Sequence, residues 1–257
     1  MVLPMIPAHI QLVKETVPVL REHGVALTTY FYNRMLKNHP ELKNTFNMDH
    51  QNTGRQPRAL AAAVLAYAEH IENPSVLAKA VERITTKHVS LNIQADQYTI
   101  VGENLLHSIS EVLNVPMDSE LIAAWKAAYM QLAELLIGVE KAKYQALATQ
   151  QGGWVGWREF TITEITVTES GKQFTLKAKD DAAIVAAQAG EFISVRVVIA
   201  NEDVRQPLQF TFPEVQNDAY QFTVTAEEQP SNYSVAHALL THYQVGDVVE
   251  VTAPNRL

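Results

Sequence analysis

With no cysteine in its 257 residues, this chain offers histidine, methionine or tyrosine as the plausible axial ligands of an iron held in a long apolar pocket. Of the nine histidines, His88 stands out because it falls in register with Leu77, Val81, Ile84 and Leu91, a single apolar stripe at helical spacing. A neutral imidazole on a buried stripe needs a use for one ring nitrogen and a hydrogen-bond partner for the other. Two readings follow: a core histidine satisfied by its neighbours, or a metal ligand whose second nitrogen is held by an acceptor. Spacing alone favours the core histidine. The missing thiols also exclude disulfides, thiolate metal sites, iron–sulfur clusters and cysteine nucleophiles, although they do not by themselves define a reducing compartment.

The elements that must carry these residues change character along the chain. Up to about Leu147 apolar residues recur at three and four, a second stripe being Leu121, Trp125, Ala128, Leu132, Leu135 and Val139. Pro40, Pro57, Pro74 and Pro116 sit near element boundaries or first helical turns, where a missing N–H costs little. Asn73-Pro74-Ser75 and Met117-Asp118-Ser119 read as helix starts. Seven or eight helices are expected. After Gly152-Gly153-Trp154 the period becomes two: Phe174, Leu176 and Ala178 alternate with polar residues, as do Phe210 with Phe212 and Phe222 with Val224. Phe192–Ile199 is a dense β-branched run, Val248–Val251 reads as a last strand, and one helix is expected over about Tyr233–Tyr243. The expected architecture is an all-α domain over residues 1–147, a linker over 148–156 hinged at the glycine pair, and a small antiparallel β-barrel of about six strands over 157–257.

Composition narrows the partners. The net charge of −8 disfavours nucleic acid and anionic membrane, and no basic patch offsets it. The acid is uneven: residues 1–151 hold 13 Lys+Arg against 14 Asp+Glu, whereas residues 152–257 hold 7 against 14. The longest apolar run, Ala59–Ala68, is about half the roughly 20 residues a membrane-spanning helix needs. Met1-Val2-Leu3-Pro4 lacks a basic flank and is broken by proline, so no secretory signal is read and a cytoplasmic setting is expected. Serine–histidine–acid arrangements, zinc sites and glycosidase carboxylate pairs have no support beyond scattered residues.

Six strings in order then reverse the reading of His88. They are Phe31–Leu36, His39–Lys43 with Phe46-Asn47-Met48, Lys87-His88, Gln97–Glu103, Ala124-Trp125, and Ala128-Tyr129. At near-constant spacing, and continuing through Gly152-Gly153-Trp154, they resemble the bacterial flavohaemoglobins. The resemblance implies a globin fold holding haem b, with His88 as proximal iron ligand. It implies that Tyr98 and Glu140 form the hydrogen-bonded set behind that imidazole; a carboxylate accepting from the ring N–H gives imidazolate character and pushes electron density onto iron. From spacing alone Glu140 is a solvated helix-end acid and Tyr98 a buried aromatic. On the distal side Tyr32, Gln56 and Leu60 match the family's pocket: a phenol and an amide able to stabilise an oxygen ligand that gains negative charge, and a steric gate. Phe46 matches the phenylalanine wedged against the porphyrin, although a plain core aromatic differs little. Pro57, directly after Gln56, departs from the pattern and could move the start of that helix.

The second half resembles the FAD-binding barrel of ferredoxin-reductase-like proteins through Gly190–Val195, Val245–Val251 and the position of Arg205-Gln206. There the family sets an arginine, a spacer, then tyrosine and serine against the flavin; this chain reads Arg205-Gln206-Pro207-Leu208. The family's basic residue is replaced by Thr225-Ala226-Glu227-Glu228, and its Gly-Gly loop by Gln229-Pro230-Ser231-Asn232. A diphosphate needs backbone N–H groups on a glycine-rich turn together with cations. These departures argue against FAD, so the barrel is expected to be degenerate. No G-x-G-x-x-G loop occurs, so no NAD site is expected, and the family's nicotinamide domain is expected to be absent. The implied activity is nitric oxide dioxygenation from O2 and NO, serving nitric oxide detoxification, with an external NAD(P)H-dependent reductase. The alternative is a non-catalytic oxygen-storing or oxygen-sensing globin with the barrel as scaffold. A third possibility keeps a flavin on altered contacts.

Overall fold

The structure is a computed structural model that describes residues 5–199 and 202–256. Among these, seven α-helices occupy the first part: α1 (Pro7–Glu15), α2 (Val17–Asn38), α3 (Met48–Asn52), α4 (Arg55–Glu69), α5 (Ala78–Val89), α6 (Gln97–Leu113) and α7 (Glu120–Thr149), with 3-10 turns at Pro40–Asn44 and Pro74–Leu77. Prolines stand in the first turns of α1 and α2, where the N–H would have no partner in the helix. Asn114 closes α6 in the left-handed region at φ 52°, its backbone N–H donating to Ser110 O, a conformation asparagine tolerates. Ser119 faces the start of α7, its hydroxyl accepting from Ile122 N at 3.4 Å.

The chain divides into two compact units. One gathers the chain up to Leu42, His50–Thr85 and Gln94–Val139; the other gathers Lys43–Asp49, Thr86–Ile93 and the chain from Glu140 on. In the first unit α2 crosses α4 at small residues, a Cβ on Gly24 falling only 3.6 Å from Ala61 Cβ. Thr28 at that crossing donates to Gly24 O (3.0 Å) and to Pro57 O (2.8 Å), which ties the first turn of α4 to α2. Leu27, Phe31, Met35, Ala68, Ile109, Trp125 and Ala128 supply the core, each large apolar side chain contributing about 1.5–3 kcal/mol on burial. Gly102 on α6 is required by packing: a Cβ there would lie 2.4 Å from the Tyr129 ring of α7.

By length and composition α7 is the one helix among the described residues able to cross a bilayer. Ile122, Trp125, Ala128, Ala133 and Leu136 are nevertheless buried, the pattern of a core helix in a globular unit. The expected stripe is rotated from about Ala128 onward: Leu132 is half-buried and Leu135 exposed, while Ala133, Leu136 and Glu140 face inward.

The strands are β1 (Arg158–Thr168), β2 (Gly171–Ala178), β3 (Phe192–Ile199), β4 (Val204–Thr211), β5 (Tyr220–Thr225) and β6 (Val248–Val251), with α8 (Val235–His242) between the last two. All pairings are antiparallel, in the order β4-β3-β6-β1-β2-β5. β4 and β5, at opposite ends of that order, are brought together by Phe210 and Phe222, whose rings stack at 4.2 Å, so the sheet curls into a barrel. The inward set is the one alternation predicts, Phe174, Leu176, Phe210, Phe212, Phe222 and Val224, and α8 adds Val235, Ala236, Ala238 and Leu239. Just before the barrel, a Cβ on Gly153 would strike Leu147 O at 2.0 Å, which explains a glycine there.

Candidate haem site

His88, the candidate axial ligand, sits at the end of α5, and the helix's apolar stripe is not its buried face. Thr85, Thr86, Val89 and Ser90 are buried, whereas Leu77, Val81, Ile84, His88 and Leu91 all keep part of their surface exposed. The sequence reading placed that apolar stripe in the core. Its half-exposure corrects that placement and marks a surface suited to a large apolar group.

His88 Nδ1 lies 2.7 Å from Glu140 Oε1, with the glutamate side chain 3% exposed and the histidine 31%. An ionised carboxylate can only accept, so Nδ1–H donates and the opposite nitrogen, Nε2, is the atom an axial bond would use. Glu140 is therefore a buried hydrogen-bond acceptor, not a solvated helix-end acid. The same face of α7 carries Lys143, whose Nζ donates to Thr86 Oγ1 at 3.0 Å, and Tyr144, whose hydroxyl donates to Ile93 O at 2.6 Å. These two hold the segment around His88 and were missed by sequence reasoning; the signal was their i+3 and i+4 spacing from Glu140. Phe46, half-buried, lies in the Lys43–Asp49 stretch of this same unit.

The first unit carries the other candidates. Tyr32, on α2, is 7% exposed, and its hydroxyl is hydrogen-bonded to Gln56 on α4. Pro57 does not displace that helix. α4 starts at Arg55, so Gln56 and Pro57 both fall in its first turn, where proline is tolerated, and the Pro57 carbonyl accepts from Thr28. Leu60, half-buried, stands one turn beyond Gln56 on α4. Tyr98 is buried in the first turn of α6, and Tyr129 donates to its backbone carbonyl at 2.6 Å. Glu140 and His88 belong to the second unit and Tyr98 to the first.

Burial pushes the Tyr32 phenol up to about 12, the Gln56 bond acting the other way, and burial raises Tyr67 to about 12 as well. Tyr32 therefore stays a donor throughout the physiological range. Because the folded state holds protons that the unfolded chain has released, stability falls as pH rises from about 10 to 12. Each phenol accounts for roughly 2–3 kcal/mol of that loss. Urea titrations at pH 8 and pH 11.5 test this, and equal stabilities would refute it.

A globin family model matches residues 29–136. A bacterial globin from Campylobacter jejuni is 40% identical, with 97% of its length covered by 53% of this chain at a TM-score of 0.51. This chain belongs to the globin family. A Rhodothermus marinus protein, engineered as a carbene transferase and bearing the name nitric oxide dioxygenase, is 37% identical over 99% of its length and 56% of this globin, with a TM-score of 0.53. Similarity extends beyond the helical half. The Bordetella pertussis flavohaemoprotein is 47% identical over 95% of this globin's length, and a Malassezia yamatoensis flavohaemoglobin solved with bound FAD and haem matches 97% of it at a TM-score of 0.85 and 25% identity. The chain spans 61% of the Bordetella relative and 64% of the Malassezia one.

Proposed function

We propose that this globin binds haem through His88 Nε2 and oxidises nitric oxide to nitrate with dioxygen. The observation that carries the reading is the 2.7 Å bond between His88 and the buried Glu140 carboxylate. Haem, when bound, supplies the redox chemistry NO + O2 + e− → NO3−, consuming one electron per turnover. The residues do the rest. Glu140 takes the Nδ1–H, fixes the ring orientation and leaves Nε2 electron-rich, which favours reducing an oxygen ligand over merely releasing it. Tyr32 and Gln56 supply an O–H and an N–H to oxygen atoms that gain negative charge, and Leu60 limits access. Phe46 and Tyr98 complete the reading as a porphyrin-packing ring and a positioning phenol. The half-exposed stripe of α5 supports the fit, since haem needs apolar surface to cover.

The barrel residues do not fit a flavin. Pro207 and Leu208 offer neither hydroxyl nor side-chain donor, and Gln206 is wholly buried in bonds to Lys43 O and Met48 N. Where a diphosphate would need cations, Ser234 caps α8 and donates to Glu227, and Tyr233 donates to Glu202 at 3.0 Å. Glu227, between β5 and α8, and Glu202, from the β3–β4 connection, set two carboxylates against a dianion there. Electrons therefore come, in this reading, from a separate NAD(P)H-dependent reductase.

The test is stopped-flow mixing of the reduced, oxygenated protein with nitric oxide. Rapid conversion to the ferric spectrum with one nitrate per haem is expected; slow conversion, or none of the nitrate, refutes the dioxygenase. The oxygen-storage or sensing alternative rests on the altered barrel, and sustained nitric oxide consumption with an added reductase would exclude it.

A further inference from the structure

Strand β4 carries a half-buried amide, Gln209, whose bonds converge on the segment carrying His88, all within the second unit. Gln209 uses both ends of its amide: Lys87 Nζ donates to Oε1, and Nε2 donates to Ser90 Oγ at 2.8 Å. Ser90, fully buried, donates in turn to Lys87 O at 2.8 Å. Lys87 and Ser90 bracket His88, so one side chain of the barrel fixes the turn on both sides of the axial residue. From β6's end, Thr252 Oγ1 donates to Ser90 O at 3.2 Å and accepts from Ser194 N on β3 at 3.2 Å, which locks the same turn to the barrel backbone. A second grip lies along β4's outer edge. Arg205 N donates to Asn44 Oδ1 (2.7 Å), Asn47 Nδ2 donates to Pro207 O (2.8 Å), and Gln206 spans Lys43 O (2.6 Å) and Met48 N (2.7 Å).

A bidentate amide with both partners within two residues of His88 restricts that ring's backbone in translation and tilt, and so sets the length of its bond to Glu140. We propose that Gln209 is a positioning residue for the axial histidine, and that the barrel tunes the haem through protein hydrogen bonds in place of supplying electrons through a flavin. The proposal rests on the reading of His88 as haem ligand.

Resonance Raman spectroscopy of the ferrous, unliganded protein tests it, because the iron–histidine stretch reports imidazolate character independently of activity. Gln209→Leu keeps the bulk and removes both bonds; the stretch should move to lower frequency and the haem midpoint potential should become more positive. Gln209→Glu retains the acceptor for Lys87 but cannot donate to Ser90 Oγ, whose proton goes to Lys87 O, so its stretch should fall between those of Gln209→Leu and the parent. Thr252→Val, which removes the bond to Ser90 O, should shift the stretch in the same direction as Gln209→Leu and carries the test should that variant fold poorly. An unchanged stretch in folded, haem-loaded Gln209→Leu or Thr252→Val overturns the proposal. A parent protein that shows no iron–histidine stretch at all overturns the haem reading instead.

Discussion

His88→Ala is expected to produce a folded protein that no longer holds haem tightly, losing its Soret band and all nitric oxide consumption when purified without imidazole. The side chain is 31% exposed and fills no core position, so the fold should survive its removal. The cost falls on Glu140, whose buried carboxylate loses a partner, a penalty of about 1–3 kcal/mol in unfolding free energy. Circular dichroism separates that modest destabilisation from unfolding. Exogenous imidazole should enter the vacated space, donate to Glu140 and restore the Soret band, because the acceptor that orients it remains. A variant whose pigment and axial nitrogen bond match the parent would refute the assignment of His88.

Tyr32→Phe should release dioxygen roughly 10- to 100-fold faster, the span expected for removing one hydrogen bond to a charge-bearing acceptor. The ring is retained, and so is its packing on Phe31 at 4.9 Å, which confines the change to the hydroxyl. Gln56 loses its phenol partner in the same step, so Gln56→Leu alone and the double variant should be strongly non-additive with it. Stopped-flow displacement of oxygen by carbon monoxide measures the rate. A Tyr32→Phe protein with parental oxygen dissociation would remove Tyr32 from the binding role.

The helical half, the barrel and the inward-facing Phe174, Leu176, Phe210, Phe212, Phe222 and Val224 were legible in the sequence, because periods of 3.6 and 2.0 are imposed by backbone geometry alone. Phe160 and Ile162 of β1 and Tyr220 of β5, equally buried, were not singled out. What periodicity could not tell was which apolar stripe the protein itself covers. Along α5 and its flanks the stripe through Leu77, Val81, Ile84 and His88 looked like core, and instead Thr85, Thr86, Val89 and Ser90 are buried. An apolar surface reserved for a ligand has the same pattern as one reserved for a neighbouring helix. To spacing alone Glu140 was illegible for the opposite reason: an acid near a helix end is ordinarily solvated, and it was the family resemblance that set it behind His88, where its partner shows why it is buried. Pro57 looked disruptive, yet with α4 starting at Arg55 it occupies a first-turn position where nothing is lost. The β4 amides carried no signal, because glutamine on an edge strand is unremarkable until its acceptors, far off in sequence, are known.

The covering of β4's outer edge by Lys43–Asp49 has a consequence for how portable the barrel is. Excised at Gly152-Gly153, where the chain invites a cut, it would carry an unzipped margin of peptide groups and a wholly interior amide, Gln206, with its carbonyl and N–H mates amputated. Such a fragment is a seed for strand-to-strand stacking between copies. The barrel is therefore no interchangeable cassette: its finishing seam is stitched by residues encoded more than a hundred positions upstream.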